Sequence, residues 1–230
     1  MKVFELNLKV FLLKNISIED SQEKIAEFID LALGKSEEFL SFHNENEFKN
    51  YCFNSFYPLE EDGIYKADKV YTINLRTIDK ELANYFNANL ANEHNNYIKG
   101  LICEIRILPK KPIEKLYSIT PLIIKTDKGY WKNSLSIDEF ERRIKENLIK
   151  KYNQYNNVKI SEDFELYTTI LMKNRKPIAT TYKGRRILGD KLSIVISSDE
   201  ISQELAYMAL GTGVGEMNPR GLGFVNYRWL

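Results

Sequence analysis

Apolar and polar residues largely alternate at the start of the chain, where Val3, Leu6, Leu8, Val10 and Leu12 interleave with Glu5, Asn7 and Lys9. A period of two is the signature of a half-buried strand, here over 2–13. The period then changes. Ile25, Phe28, Ile29, Ala32 and Leu33 repeat at helical spacing and predict a helix over 18–40. Ser17 serves as its cap, and Glu19 and Asp20 place negative charge in the first turn, where the helix dipole favours it. Strands follow over 49–56 and 69–76, then a helix over 79–89 and a strand over 101–108.

The second half runs through the same order of elements. It predicts a strand over 116–124 and a helix over 137–155, capped near Ser136, with Phe140, Ile144 and Leu148 aligned. Strands over 165–172 and 178–182 suggest a hairpin. A strand over 192–196, a helix over 199–210 and a closing strand from 224 complete it. Pro109 and Pro112 interrupt regular structure between the halves. The expectation is an α+β chain of two tandem ferredoxin-like (βαββαβ) domains with antiparallel sheets, over 1–110 and 111–230. Such units serve many functions, so this fold assigns none.

Composition narrows the classes. With 43% hydrophobic and 28% charged residues, the 230-residue chain is an ordinary globule. No apolar run approaches the ~18 residues of a membrane span, and the N-terminus lacks a signal-peptide core, so the expected location is cytoplasmic. Cys52 and Cys103 lie far apart in apolar segments, which favours reduced thiols over a disulfide. A cysteine hydrolase on Cys52 lacks a nucleophile elbow. Two histidines without a His/Cys cluster point to no metal and no cofactor. A net charge of +1 gives no global basic footprint, yet Lys173, Arg175, Lys176, Lys183, Arg185, Arg186 and Lys191 crowd together against Asp190 alone. Arg142, Arg143, Lys145, Lys150 and Lys151 instead alternate with acids along a helix and read as a solvated face.

Two stretches carry candidate chemistry. Five of eleven glycines fall at 211, 213, 215, 221 and 223. Glycine marks positive-φ turns or close backbone approach, and successive N–H groups make a concavity for phosphate. Neither a Walker loop nor a dinucleotide fingerprint fits, because here a helix precedes the glycines and a strand follows. The alternative for the loop alone is a long turn with a C-cap glycine. The other stretch follows the first helix, where His43, Lys49 and Tyr51 fall close together. A base near neutrality can take a proton from an attacking hydroxyl, and a nearby cation can offset the charge that develops. Alone, His43 reads as a surface or half-buried loop histidine. His94, in polar company, reads as solvated.

Together these pieces resemble one family. The helix, glycine-rich loop and terminal strand, with Gly211, Gly213, Gly215, Glu216, Asn218, Gly221 and Gly223, is similar to the end of the CRISPR repeat-RNA processing endoribonucleases of the repeat-associated RNA-binding superfamily. Ser118 to Pro121, Asn147 to Tyr152, the His43…Lys49…Phe53-Asn-Ser-Phe56 pattern and the Tyr71 to Arg76 run extend the resemblance over essentially the whole chain. It implies a metal-independent endoribonuclease acting on CRISPR repeat RNA, with 2′-hydroxyl attack leaving a 2′,3′-cyclic phosphate and a 5′-hydroxyl. His43 would be general base or acid and Lys49 an electrostatic stabiliser. Some members place a Tyr in the first helix, where this chain has Phe28, and Tyr51 is the candidate substitute. RNA would be held by Lys173, Arg175, Lys176, Lys183, Arg185 and Arg186, and by Gly213, Gly215, Asn218, Arg220 and Gly221 of the loop. The resemblance further implies a CRISPR effector complex as a partner, no membrane, and a monomer or homodimer. The competing reading is a non-catalytic RNA-binding subunit of such a complex. A small-ligand regulatory module would show no salt-dependent RNA affinity.

Overall fold

The alternating start of the chain forms β1 (Phe4–Leu12), an inner strand of a four-stranded antiparallel sheet. The computed structural model describes residues 1–44 and 47–230, with backbone alone at 42–44. After β1 come β2 (Ile16–Ser17), α1 (Ser21–Leu33), α2 (Glu37–Asn44), β3 (Tyr51–Phe53), β4 (Ile64–Tyr65), β5 (Val70–Thr77), α3 (Lys80–Asn89) and β6 (Ile98–Ile107). The sheet order is β3-β5-β1-β6, and β2 pairs with β4 separately. Leu6, Leu8 and Val10 join Phe28, Ile29, Phe53 and Phe86 in one core.

The second sheet draws on β7 (Ile113–Ser118), β8 (Tyr167–Met172), β11 (Leu192–Ile196) and β12 (Val225–Trp229), in the order β12-β7-β11-β8. Between them lie α4 (Ile137–Asn156), the pair β9 (Ile178–Tyr182) and β10 (Arg185–Gly189), and α5 (Glu200–Thr212). Both sheets place their four strands as fourth, first, third, second in chain order, with a helix after the first and third strands. That is the ferredoxin-like arrangement, twice. Local chemistry sets the helix starts. Ser136 and Glu139 form a complete capping box on α4, and Asp79 and Asp199 cap α3 and α5.

Four expectations need correction. The helix over 18–40 is two helices. The buried stripe ends at Leu33, and Lys35 and Ser36 donate to Ala32 and Leu33, a tighter i→i−3 pattern that breaks the helix before α2. Ser17 is not the cap: Asp20 holds that position, and the Ser17 hydroxyl donates to its carboxylate at 2.7 Å. The strand over 116–124 stops at Ser118, after which Leu122 and Ile123 make single bridges to Asp190 and Glu216. Finally, β8 and β9 do not form a hairpin. β8 pairs with β11, and β9 pairs with β10 through a two-residue turn at Lys183 and Gly184, both at positive φ. Positive φ at both positions marks a type I′ turn, whose twist matches its strands.

The sheets meet through the face of the first that its helices leave open. Arg76 on β5 is 3% exposed and donates to Glu5 (2.6 Å), to the Val225 carbonyl (2.7 Å) and to Asn226 (2.7 Å), with its guanidinium 4.4 Å from the Phe224 ring centre. Burial alone would raise the Glu5 carboxyl, but Arg76 and Arg106 together outweigh it and hold it below its ordinary value. Cys52, on the same face, points its thiol at the Leu210 carbonyl (3.7 Å) and is reduced, as is Cys103.

Candidate nucleic-acid interface

The segment after α2, the β9–β10 hairpin and the glycine loop converge on one cleft of about 810 Å³. Lys49, Lys125, Lys183, Arg185, Arg186 and Arg220 line it with Tyr130 and Tyr182, and among the described residues no lining side chain is acidic. A chain of net charge +1 therefore concentrates cations in one concavity. The hairpin is fixed at its base by Asp190, which is fully buried and accepts from the Tyr130 hydroxyl, the Trp131 indole and the Asn174 amide, each at 2.7 Å. Its strands reach the turn just before α1, where Thr181 donates to the Glu19 carbonyl (2.9 Å) and Arg186 pairs with the Glu19 carboxylate (3.2 Å).

Of the expected catalytic residues, His43 lies in the last turn of α2, and its side chain falls outside the described residues. Lys49 is half-buried on the cleft wall. Tyr51 departs from expectation. It is 1% exposed, packs edge-on against Phe86 and belongs to the first core, so its phenol is not presented to a substrate. Burial, with the Asp30 charge, pushes its pKa well above the ordinary phenol value.

The glycine loop turns much of its backbone inward. The N–H groups of Gly213, Val214, Glu216, Arg220, Gly221 and Gly223 all donate within the protein, to Ala209, Gly223, Ile123, Met217, Asn218 and Pro121. The glycines serve close packing. A Cβ on Gly223 would lie 1.9 Å from the Val214 carbonyl oxygen, and one on Gly221 2.5 Å from the Phe53 ring of the first sheet. What the loop presents to the cleft is its crest, Met217, Pro219 and Arg220. Arg220 is tied down as well, by an ion pair with Asp30 on α1 and by the Tyr182 ring at 5.8 Å.

Beneath the crest lies a residue that sequence reasoning placed in solvent. Lys151 is 2% exposed, and its amine donates to Gly213 O (2.9 Å), Gly215 O (3.0 Å) and Asn218 Oδ1 (2.7 Å). Burial pushes its pKa down to about 7, partly opposed by Cys52 and the Glu216 carboxylate. A signal was present: Phe140, Ile144 and Leu148 define the inner stripe of α4, and position 151 continues it. Lys125, also missed, directly precedes a turn closed by Thr126 and Gly129.

Lys173, Arg175 and Lys176 do not line the cleft. They sit on the β8–β9 connection, which Asn174 fastens to Asp190 and to the Lys191 amide (2.6 Å). His94 is exposed, as expected. A second cleft of about 650 Å³ lies between the sheets, lined by Asn7, Asn54, Asn74, Asn226 and the exposed Tyr57. Among the described residues no three His, Cys, Asp or Glu side chains cluster as a metal would require, and no helix is long and apolar enough to cross a membrane.

Comparison with known proteins bears on this arrangement. Residues 108–227 match the family described as CRISPR associated protein Cas6, C-terminal. No curated protein sequence matches the chain. Among solved structures, a CRISPR associated protein Cas6 superposes with a TM-score of 0.72 at 20% identity, covering 98% of this chain and 99% of that one. A Cas6-related protein from Pyrococcus furiosus gives 0.71 at 17% identity, covering 98% of each. A RAMP protein described as binding different RNA substrates gives 0.71 at 16%, covering 98% of this chain and 99% of its own.

Proposed function

Because the chain belongs to the Cas6 family of CRISPR-associated proteins, we propose that it is a metal-independent endoribonuclease that cuts CRISPR precursor RNA within its repeats. The supporting observation is the basic cleft, where Lys49, six residues after His43, lines the same wall system as the hairpin cations and the glycine-loop crest. Phosphates lie along Lys125, Lys183, Arg185 and Arg186, and unpaired bases stack on Tyr130 and Tyr182. The amide-lined second cleft suits the edges of further unpaired bases.

In this reading the His43 imidazole takes the proton of a 2′-hydroxyl. The freed oxygen attacks the neighbouring phosphorus in line, and the bond to the 5′-oxygen breaks. The products are a 2′,3′-cyclic phosphate and, once protonated, a 5′-hydroxyl. Lys49 offsets the charge that gathers on the phosphoryl oxygens. Tyr51 contributes by anchoring β3, and so the base of the Lys49 segment, in the core.

The test is His43→Ala with repeat RNA in EDTA. Losing a general base should slow cleavage by about 10²–10⁴-fold. Undiminished cutting removes His43 from the chemistry, and a requirement for magnesium overturns the mechanism. Tight repeat-RNA binding by the unaltered chain without product makes it an RNA-binding subunit instead.

A further inference from the structure

We propose that Lys151 positions the glycine loop for RNA, and that it does so as an ammonium, so that loop setting and RNA binding are coupled to its protonation. The proposal rests on the reading of the cleft as an RNA site and names the group that sets the cleft's floor. Three acceptors surround the amine at 2.7–3.0 Å. An ammonium offers three N–H donors and no lone pair, one donor for each acceptor. A neutral amine would have two donors and would turn a lone pair toward one of those oxygens.

The same Asn218 donates through its amide nitrogen to Val214 O (3.2 Å) and Leu222 O (3.0 Å), so the lysine reaches both limbs of the loop. Between the limbs stands the crest that lines the cleft. Around the amine are Cys52 on β3, Glu216 in the loop and the Phe48 ring at 5.9 Å. Glu47, Lys49 and Lys125 line the adjoining hollow of about 320 Å³, which Lys151 also borders. A phosphate in cleft or hollow favours the charged amine, and by reciprocity the charged amine favours phosphate.

The sign of the linkage separates this role from mere packing. The folded value, about 7, lies below the ordinary 10.5, so between them the folded chain holds fewer protons than the unfolded one. Stability therefore rises with pH through that window. RNA affinity moves the other way, because the loop loses its ammonium.

The experiment uses the full chain carrying His43→Ala, which leaves repeat RNA uncut and removes the His43 titration. Affinity for CRISPR repeat RNA, thermal stability and the amide shifts of Gly213, Gly215 and Gly221 are followed from about pH 6 to about pH 8.5. Affinity should weaken about tenfold, the worth of one charged hydrogen bond, in a step near neutrality, while stability rises and the loop amides shift with the same midpoint. Lys151→Met should bind weakly at every pH and show no step. Glu216→Gln, which removes a carboxylate favouring the ammonium, should move the step to lower pH; this variant decides the matter where Lys151→Met does not fold. A persisting step in Lys151→Met, an unmoved step in Glu216→Gln, or loop amides that do not titrate each overturn the proposal. Titrating loop amides without RNA binding at any pH would sink the cleft's RNA reading and the RNA coupling, and leave only the loop-setting part of the proposal.

Discussion

The glycine loop and the β9–β10 hairpin stand side by side on the cleft, and both are conspicuous in sequence, one for missing side chains and the other for cations. Their structures are opposites. The loop turns six of its amides inward, closes on a buried lysine and packs its glycines against Val214, Ile123 and Phe53. The hairpin turns on Lys183 and Gly184 with open space around the turn glycine, and leaves Lys183, Arg185 and Arg186 exposed. Bare backbone in a sequence therefore marks close packing as readily as ligand approach. Exposed arginines clustered against few acids are the more direct pointer to phosphate.

The sharpest way to break this comparison is one substitution made in both places. Gly223 and Gly184 both have positive φ, +67° and +71°, so alanine is strained at either. At Gly223 the new Cβ also meets the Val214 carbonyl oxygen at 1.9 Å, whereas at Gly184 nothing lies within 4 Å. Gly223→Ala should cost about 4 kcal/mol or more, enough to unfold a marginal domain. Gly184→Ala should cost about 1–2 kcal/mol, the left-handed penalty alone. Thermal unfolding of the two variants measures the difference, and equal losses would mean that the loop is not closed as described.

The second test exchanges the roles. Replacing Lys183, Arg185 and Arg186 together by alanine should weaken repeat-RNA binding about 100-fold at low salt. It should also lower the slope of log affinity against log salt by about 2, the release expected from three contacts on a single strand. Stability should change by under about 1 kcal/mol, because the Arg186–Glu19 pair is exposed. A large stability loss with an unchanged salt slope would make the hairpin the structural element of the two.

How far all this was legible follows the range of the interactions. The α4 cap is local chemistry: Ser136 and Glu139 are three residues apart, and the capping box formed as their spacing required. The succession of strands and helices along the chain followed from repeated periodicity. The β9–β10 pairing is hidden from the sequence because the charged run 173–176 reads as a turn. In the fold, Asn174 ties that run to Asp190, sixteen residues on, and no local pattern announces such a tie. Lys151 was missed for a different reason. Its neighbours Lys150 and Arg142 are exposed, and charge alternation outweighed the evidence of the apolar stripe. The Arg76–Glu5 ion pair joins residues 71 apart on partner strands and was invisible to periodicity.

The smallest expected effect is the most pointed about location. Lys173, Arg175 and Lys176 match the hairpin triple in charge and exposure, and composition alone ranks the two groups equally. Position does not, since the connection that bears them is pinned at Asp190 and lies off the lining of the basic cleft. Exposed charges that do not touch a bound phosphate act on it only through solvent, where physiological salt weakens them over a Debye length of about 8 Å. Replacing all three by alanine should therefore change repeat-RNA affinity less than about threefold and leave the salt slope within experimental error. Filter binding across a salt series, run beside the hairpin variant, makes the comparison directly. A loss as large as the hairpin's would place RNA on the β8–β9 connection too, and would mean that the bound strand leaves the cleft past Asn174.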